Sequence, residues 1–223
     1  MIRLHRIHGS SYRSLMQLEH SADLLAILDD DTSFRNAMQD LIEAEGMSAL
    51  CFSSAKQFWG SEARYTAACL IADIRMPGMS GLELQVKLNA ERCMIPIIFV
   101  TGRGDIPTTV KAMKEGAIDF LTKPIKESLL LAAVGHALEM DRIAKRKAHE
   151  RADLLERYRS LTPREREVLP LLVSGLLNKQ AAGELGITEY TVQIHRGHIM
   201  RKMKADSFAS LVRMAEKLSP YSP

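Results

Sequence analysis

The stretch LIADIRMPGMSG, residues 70–81, sets a carboxylate, Asp73, directly after the apolar run Ala67-Ala68-Cys69-Leu70-Ile71-Ala72 and then turns the chain through Met76-Pro77-Gly78. A short apolar run bounded by turn residues reads as a buried strand. A carboxylate at its end is costly to desolvate, so the fold must either stabilise that charge or use it. Runs of the same size recur at residues 24–28, 97–100 and 118–121, and a shorter strand is expected near residues 49–52. Between them lie segments with helical spacing, residues 34–45, 82–89, 108–115 (closed by Gly116) and 127–140. That makes about five strands and five helices. Strands alternating with helices mean a parallel sheet covered on both faces, an α/β doubly wound (βα)5 fold.

In such open sheets the ligand site lies beyond the carboxyl ends of the strands. The residues found there are Asp29-Asp30-Asp31, Asp73, Thr101-Gly102 and Lys123-Pro124. Each alone has a plain explanation: aspartates cap helices and form turns, Thr101 can cap the helix after it, and Lys-Pro is common in loops. Each standing at the end of its own strand, in this order, favours chemistry. Two unit charges about 4 Å apart repel by roughly 4 kcal/mol at an effective dielectric of 20, so several ionised aspartates together need a cation. An all-oxygen ligand set with open positions suits Mg²⁺. With that ion and Lys123 neutralising the cluster, Asp73 can attack a phosphoryl group to give an acyl phosphate, and Thr101 can hydrogen-bond the added oxygens.

At 223 residues the chain has room for two domains. No apolar run reaches the roughly 18 residues of a membrane span. Cys51, Cys69 and Cys93 are odd in number and widely spaced, which fits a reducing compartment and argues against disulfides or a zinc site. Net charge is −5 over residues 23–140 but +3 over residues 161–223. The basic third suits a polyanion, although a solvated helical surface would carry the same mild excess. Residues 1–22 show no apolar periodicity and no secretory core, and read as a disordered extension or the product of a start upstream of Met16.

Residues 141–160 read as a charged helical linker with Ile143, Leu154 and Leu155 as its apolar anchors. The segment LTPREREV then signals a helix start, with Thr162 as N-cap, Pro163 at the first position and Glu165 closing a capping box. Gly175 stops that helix, a second follows Asn178, Gly186 turns the chain, and Thr188 caps a third helix reaching Lys204. A fourth spans residues 208–218, so residues 161–223 form an all-α four-helix domain. A helix, a short glycine turn and a helix is the arrangement that enters the DNA major groove, although a small helical dimerisation domain has the same spacing. On the third helix Val192, Ile199 and Met203 form the buried stripe, whereas Gln193, Ile194, Gly197, Arg201 and Lys204 face outward. Gln193 suits a base edge and Ile194 a thymine methyl. Arg201, Lys202, Lys204 and Lys179 suit phosphates, and Thr191 and Arg196 are expected on the same DNA-facing set. Ala181 and Gly183 are small for a helix interior, and Pro170 predicts a kink or a late start in the first helix.

The segments ILDDD, LIADIRMPGMSGLEL and PIIFVTGRGDIPTTVKAMKEGAIDFLTKP resemble the receiver domain of two-component response regulators of the FixJ-like branch, over residues 23–140. The segments LTPREREVL, GLLNKQAAGELGITEYTVQIHRGHIMRKM and LVRMAE resemble the LuxR-type helix-turn-helix, over residues 158–220. The resemblance implies that Asp73 accepts a phosphoryl group from a sensor histidine kinase. Asp29 (through water), Asp30, Asp73 and the backbone carbonyl of Arg75 would hold Mg²⁺. Thr101 and Lys123 would bind phosphoryl oxygens, and Phe120 would swing as Thr101 moves inward. It further implies a homodimer when phosphorylated, with Val110 and Lys114 as contact candidates, binding to paired half-sites of double-stranded DNA, contact with RNA polymerase, a cytoplasmic location, and no enzymatic turnover beyond slow autodephosphorylation. Two other readings stand beside it. A phosphatase of the haloacid dehalogenase type would need an acid two residues after the nucleophile, where this chain has Arg75; a DNA-binding regulator could carry a vestigial pocket.

Overall fold

A computed structural model describes residues 23–102 and 106–218, so the expectation for residues 1–22 lies outside the described residues. The chain divides after Ile143 into two compact units. Among the described residues no helix is long and apolar enough to cross a membrane.

The first unit is built on five strands, β1 (Leu24–Leu28), β2 (Ser48–Phe52), β3 (Cys69–Asp73), β4 (Ile97–Thr101) and β5 (Asp119–Thr122). They form one parallel sheet in the order β2-β1-β3-β4-β5. Side chains alternate across a strand, and the sequence exploits both faces. Ala26, Leu28, Leu70, Ala72, Ile97 and Phe99 point into one core. Leu25, Ile27, Cys69, Ile71, Ile98 and Val100 point into the other. Apolar on both sides, β1, β3 and β4 cannot lie at a surface, and each fully buried Leu or Ile contributes about 1.5–3 kcal/mol.

Helices cover the two faces. One is covered by α1 (Thr32–Ala44), which buries Ile42, and by the first half of α6 (Glu127–Arg159), which buries Leu130, Ala133, Val134 and Ala137. On the other side lie α2 (Ala55–Trp59), α3 (Ala63–Thr66), α4 (Gly81–Ala90) and α5 (Ile106–Lys114). The crossover between β2 and β3, left without helix residues in the sequence reading, is split into the two short helices α2 and α3. Gly60 ends α2, and Ser61 Oγ both donates to Phe58 O and accepts from Ala63 N–H. Helix α1 starts two residues earlier than its apolar periodicity because Asp31 caps it, accepting from the N–H groups of Ser33 and Phe34. In α4, Ser80 and Glu83 form a reciprocal capping box.

Helix α6 runs without interruption through the segment expected to be a linker. Its Leu154 and Leu155 belong to the core of the second unit. Packing therefore places the start of that core before residue 161, because these apolar anchors have a hydrophobic cluster to join. The unit continues with α7 (Pro163–Val173), α8 (Asn178–Leu185), α9 (Glu189–Met203) and α10 (Phe208–Leu218). Thr162 and Glu165 make the expected capping box, and Gly186 ends α8 in the left-handed conformation. Val192, Ile199 and Met203 are fully buried as their spacing predicts. Ala181 is small because it too is fully buried, among the helices of the cluster. Pro170 neither delays nor ends α7. It sits on the exposed side of the helix, one turn after exposed Arg166.

Among the described residues of this unit, Glu165 is the buried charged group, with 2% exposure. Oε2 accepts from Thr162 N–H at 2.7 Å and from Lys202 Nζ at 2.7 Å, and His198 Nδ1 lies 3.7 Å from Oε1. Burial pushes its pKa up, but the hydrogen bonds from Lys202 and Thr162 outweigh it and hold the carboxyl below its usual value of 4.5. A depressed folded-state pKa stabilises the fold fully above the unfolded-state pKa and loses that contribution as pH falls through the folded value. Glu165→Gln is therefore expected to cost about 2 kcal/mol at pH 7, the scale of a hydrogen bond to a charged group. Calorimetric melts of wild type and variant should converge as pH drops below about 4.5.

Candidate functional site

The order β2-β1-β3 reverses direction at β1, and a cleft opens at the carboxyl ends of β1 and β3. Asp29 follows β1 directly and is 1% exposed. Asp73 ends β3 and is 9% exposed, while Asp30 is exposed. Carboxylate oxygens of Asp29, Asp30 and Asp73 all lie within 4.8 Å of one another. Thr101 ends β4, is 1% exposed and pairs in register with Thr122; Lys123 N–H donates to Thr101 O at 2.8 Å. That bond carries Lys123 back over the cleft, with Nζ 2.5 Å from Asp29 Oδ2 and 3.7 Å from Asp73 Oδ2. Asp29 and Lys123 thus meet across 94 residues of sequence separation, with Asp30 and Asp73 beside Asp29.

Among the described residues, three carboxylates stand with one ammonium, Lys123, which leaves two negative charges in excess. At 4.8 Å and an effective dielectric of 20, each carboxylate pair repels by about 3–4 kcal/mol. The donor set is oxygen only, and its excess matches a hard divalent cation. Burial raises the pKa of Asp73; the Arg75 N–H at 3.2 Å and Lys123 oppose this, Asp29 adds to it, and the Ile74 N–H opposes it again. Arg75 itself is exposed. Phe120 is half-buried on β5, opposite Phe99, and packs against the core that holds α4 and α5.

Phe34 was not singled out by sequence. Its ring lies under Lys123, 3.8 Å from Nζ to the centroid. The first turn of α1 puts it there because Asp31 accepts the Phe34 N–H. Nothing in the sequence links a phenylalanine in one helix to a lysine 89 positions away. Arg35, on the same turn, donates to the Asp29 carbonyl at 2.7 Å and ties α1 to the rim of the cleft.

The loop after β3 is held by Gly81, whose N–H donates to Ile74 O at 3.0 Å. Gly78 adopts the left-handed φ of 82° that the turn requires. A methyl at Gly81 would collide with the Asp73 carbonyl and come 3.0 Å from the Phe99 ring.

On α5, Val110 and Lys114 are exposed, and Ile106 and Met113 extend Val110 into an apolar stripe at helical spacing.

In the second unit, Gln193, Ile194, Gly197 and Arg201 are exposed on α9, and Lys204, which ends the helix in the left-handed conformation, is exposed as well. Tyr190, 76% exposed, lies on the same stripe as Ile194, Gly197 and Arg201 and was missed; the i, i+4, i+7, i+11 spacing was the available signal. Lys179 and Arg196 line one groove of about 510 Å³ with Leu177, Glu189 and Phe208, and the Arg196 guanidinium stacks 4.6 Å from the Phe208 ring. The Thr191 hydroxyl lies 2.8 Å from that of Thr188, at the helix cap. Lys202 departs from the phosphate-facing set: it lies on the flank of α9 toward α7, where buried Glu165 takes its charge.

The family described as response regulator receiver domain matches residues 25–135, and bacterial regulatory proteins, luxR family, matches residues 159–215. Nodulation protein W of Bradyrhizobium diazoefficiens is 45% identical over 195 residues, 87% of this chain and 86% of that protein. The response regulator protein TodT of Pseudomonas putida is 46% identical over 204 residues, 92% of this chain and 90% of that one. The solved structure of the response regulator StyR matches with a TM-score of 0.79 at 44% identity, covering 88% of this chain and all of that one.

Two measurements check this geometry. Gly81→Ala should destabilise the first unit by about 2 kcal/mol or more in urea unfolding, since the methyl meets backbone instead of a movable side chain. A double-mutant cycle of Phe34→Leu with Lys123→Met should return a coupling of about 0.5–2 kcal/mol, and Phe34→Tyr should preserve it.

Proposed function

Since this chain belongs to the two-component response regulators that join a receiver domain to a LuxR-type DNA-binding domain, in the FixJ-like branch, we propose that phosphorylation of Asp73 by a sensor histidine kinase controls its dimerisation and its sequence-specific DNA binding. The observation that carries this reading is the convergence of Asp29, Asp30, Asp73 and Lys123 at the switch point of the sheet.

Asp73 is the nucleophile of the proposed transfer. Its oxygen attacks the phosphorus of a phosphohistidine, the P–N bond breaks, and the imidazole leaves with the electron pair and takes up a proton. Lys123, already between two carboxylates, is placed to pair with a phosphoryl oxygen, and the Thr101 hydroxyl to hydrogen-bond another. Asp29, Asp30, Asp73 and the Arg75 carbonyl would hold Mg²⁺, which supplies charge neutralisation for the incoming phosphoryl group. Arg75 is no proton donor at neutral pH, so water attack on the acyl phosphate has no acid or base at that position. That supports a slow autodephosphorylation instead of phosphatase turnover.

The switch then runs from Thr101 to Phe120 and on to α5. Drawing Thr101 toward the phosphoryl group vacates space that the half-buried Phe120 can fill, and both lie on the strands that support α5. The exposed stripe of Ile106, Val110 and Met113, with Lys114 beside it, is the proposed dimer face. A dimer would set two copies of α9 on paired half-sites, with Gln193 and Ile194 at base edges, Gly197 facing the groove without a side chain, and Lys179, Thr191, Arg196, Arg201 and Lys204 toward the backbone. Lys202 supports α9 from behind through Glu165. Contact with RNA polymerase and a cytoplasmic location complete the proposal.

Acetyl phosphate with Mg²⁺ is expected to add one phosphoryl group to wild type and none to Asp73→Ala by intact-mass spectrometry. The same treatment should shift wild type toward dimer mass and tighten DNA binding at least tenfold, about 1.4 kcal/mol. Label on the variant, or turnover of a phosphomonoester, would reject the assignment.

A further inference from the structure

Gln193 is exposed on the outer face of α9, and its side-chain amide is hydrogen-bonded to a neighbouring helix. Asn178, the first residue of α8, reaches across from another helix and its Nδ2 donates to Gln193 Oε1 at 2.6 Å. The other amide atom of Asn178, Oδ1, is buried with no hydrogen-bond partner among the described residues. Leaving a buried acceptor unpaired costs stability, and capping does not require it. The start of α8 is already served by Gln180, whose Oε1 accepts the Leu177 N–H at 2.8 Å. The bond to Gln193 is thus what the Asn178 side chain accomplishes.

We propose that Asn178 is a positioning residue that orients Gln193 and so sets which base Gln193 reads. This rests on the DNA-binding reading above and deepens it. A glutamine with both ends available pairs with adenine, giving Nε2–H to N7 and taking N6–H at Oε1. Here Oε1 is turned toward α8, and the two Nε2 donors form the outward end of the amide. That end matches the acceptor-rich edge of guanine, N7 and O6. The bond also fixes a side chain with three rotatable bonds before DNA arrives, which reduces the ordering cost of recognition.

The test uses the full-length protein, activated with beryllofluoride and Mg²⁺, selecting from a duplex library randomised across its protected site. Gln193→Ala should flatten the preference at one base pair per half-site, a loss of about 5- to 100-fold in discrimination. Asn178→Ala should flatten that same position and no other, and the double variant should be no flatter than Gln193→Ala alone. Asn178→Asp is close to isosteric but can only accept. It must take Nε2–H and turn Oε1 outward, so the preference should swing to adenine or cytosine, whose amino groups donate. Two amides can also bond in the reverse sense, and an Asp variant that keeps the wild-type base would overturn the proposed orientation. Weaker binding of Asn178→Ala to all sequences alike, with preference intact, would overturn the clamp while leaving DNA recognition standing. A wild type that selects no sequence would overturn the DNA-binding reading itself, and the clamp with it.

Discussion

Everything at the cleft depends on one electrostatic imbalance. Asp29 and Asp73 are buried at the ends of adjacent strands, Asp30 joins them, and among the described residues one ammonium, Lys123, pairs with Asp29 and Asp73. A buried carboxylate persists only when paired or hydrogen-bonded. The fold supplies part of the compensation through the Arg75 N–H and the Phe34 ring that holds Lys123 over the cleft. The negative charge that remains among the described residues is what would suit a divalent cation, and it underlies the chemistry proposed for Asp73.

The sheet is what allows such an arrangement to stay rigid. Strands apolar on both faces demand helices on both sides, and parallel pairing sends every carboxyl end to the same edge. Loops at that edge can then vary their chemistry while the cores described by Phe99, Ile98 and their neighbours remain packed. The close approach of Gly81 to the Asp73 carbonyl shows how little room the loop has. The second unit solves a parallel problem with different parts. Buried Glu165 caps α7 and pairs with Lys202, so one carboxylate joins the start of one helix to the flank of the helix that carries the exposed stripe.

Much of this was legible beforehand because it obeys local rules. Apolar runs of four to six residues, the capping box at Thr162, the turn glycines and the buried stripe of Val192, Ile199 and Met203 are set by periodicity and backbone chemistry over a few residues. Pro170 does not delay the start of α7, because the capping box at Thr162 and Glu165 sets that start seven residues earlier. Lys202 reads from the sequence as a phosphate ligand on a basic helix, and the carboxylate that pairs with it, 37 positions away, is visible only in the folded chain. Leu154 and Leu155 read as linker anchors because nothing local says which core they join.

Sequence alone determined the alternation of strands and helices, the ends at which Asp29, Asp73, Thr101 and Lys123 stand, and the outward face of α9, since each follows from the order and spacing of residues along one element. Only tertiary structure decided the contacts between elements: Phe34 beneath Lys123, Glu165 against Lys202, Asn178 against Gln193. These depend on how packed helices and strands bring distant side chains within a few ångströms. Residue spacing along the chain carries no record of that distance.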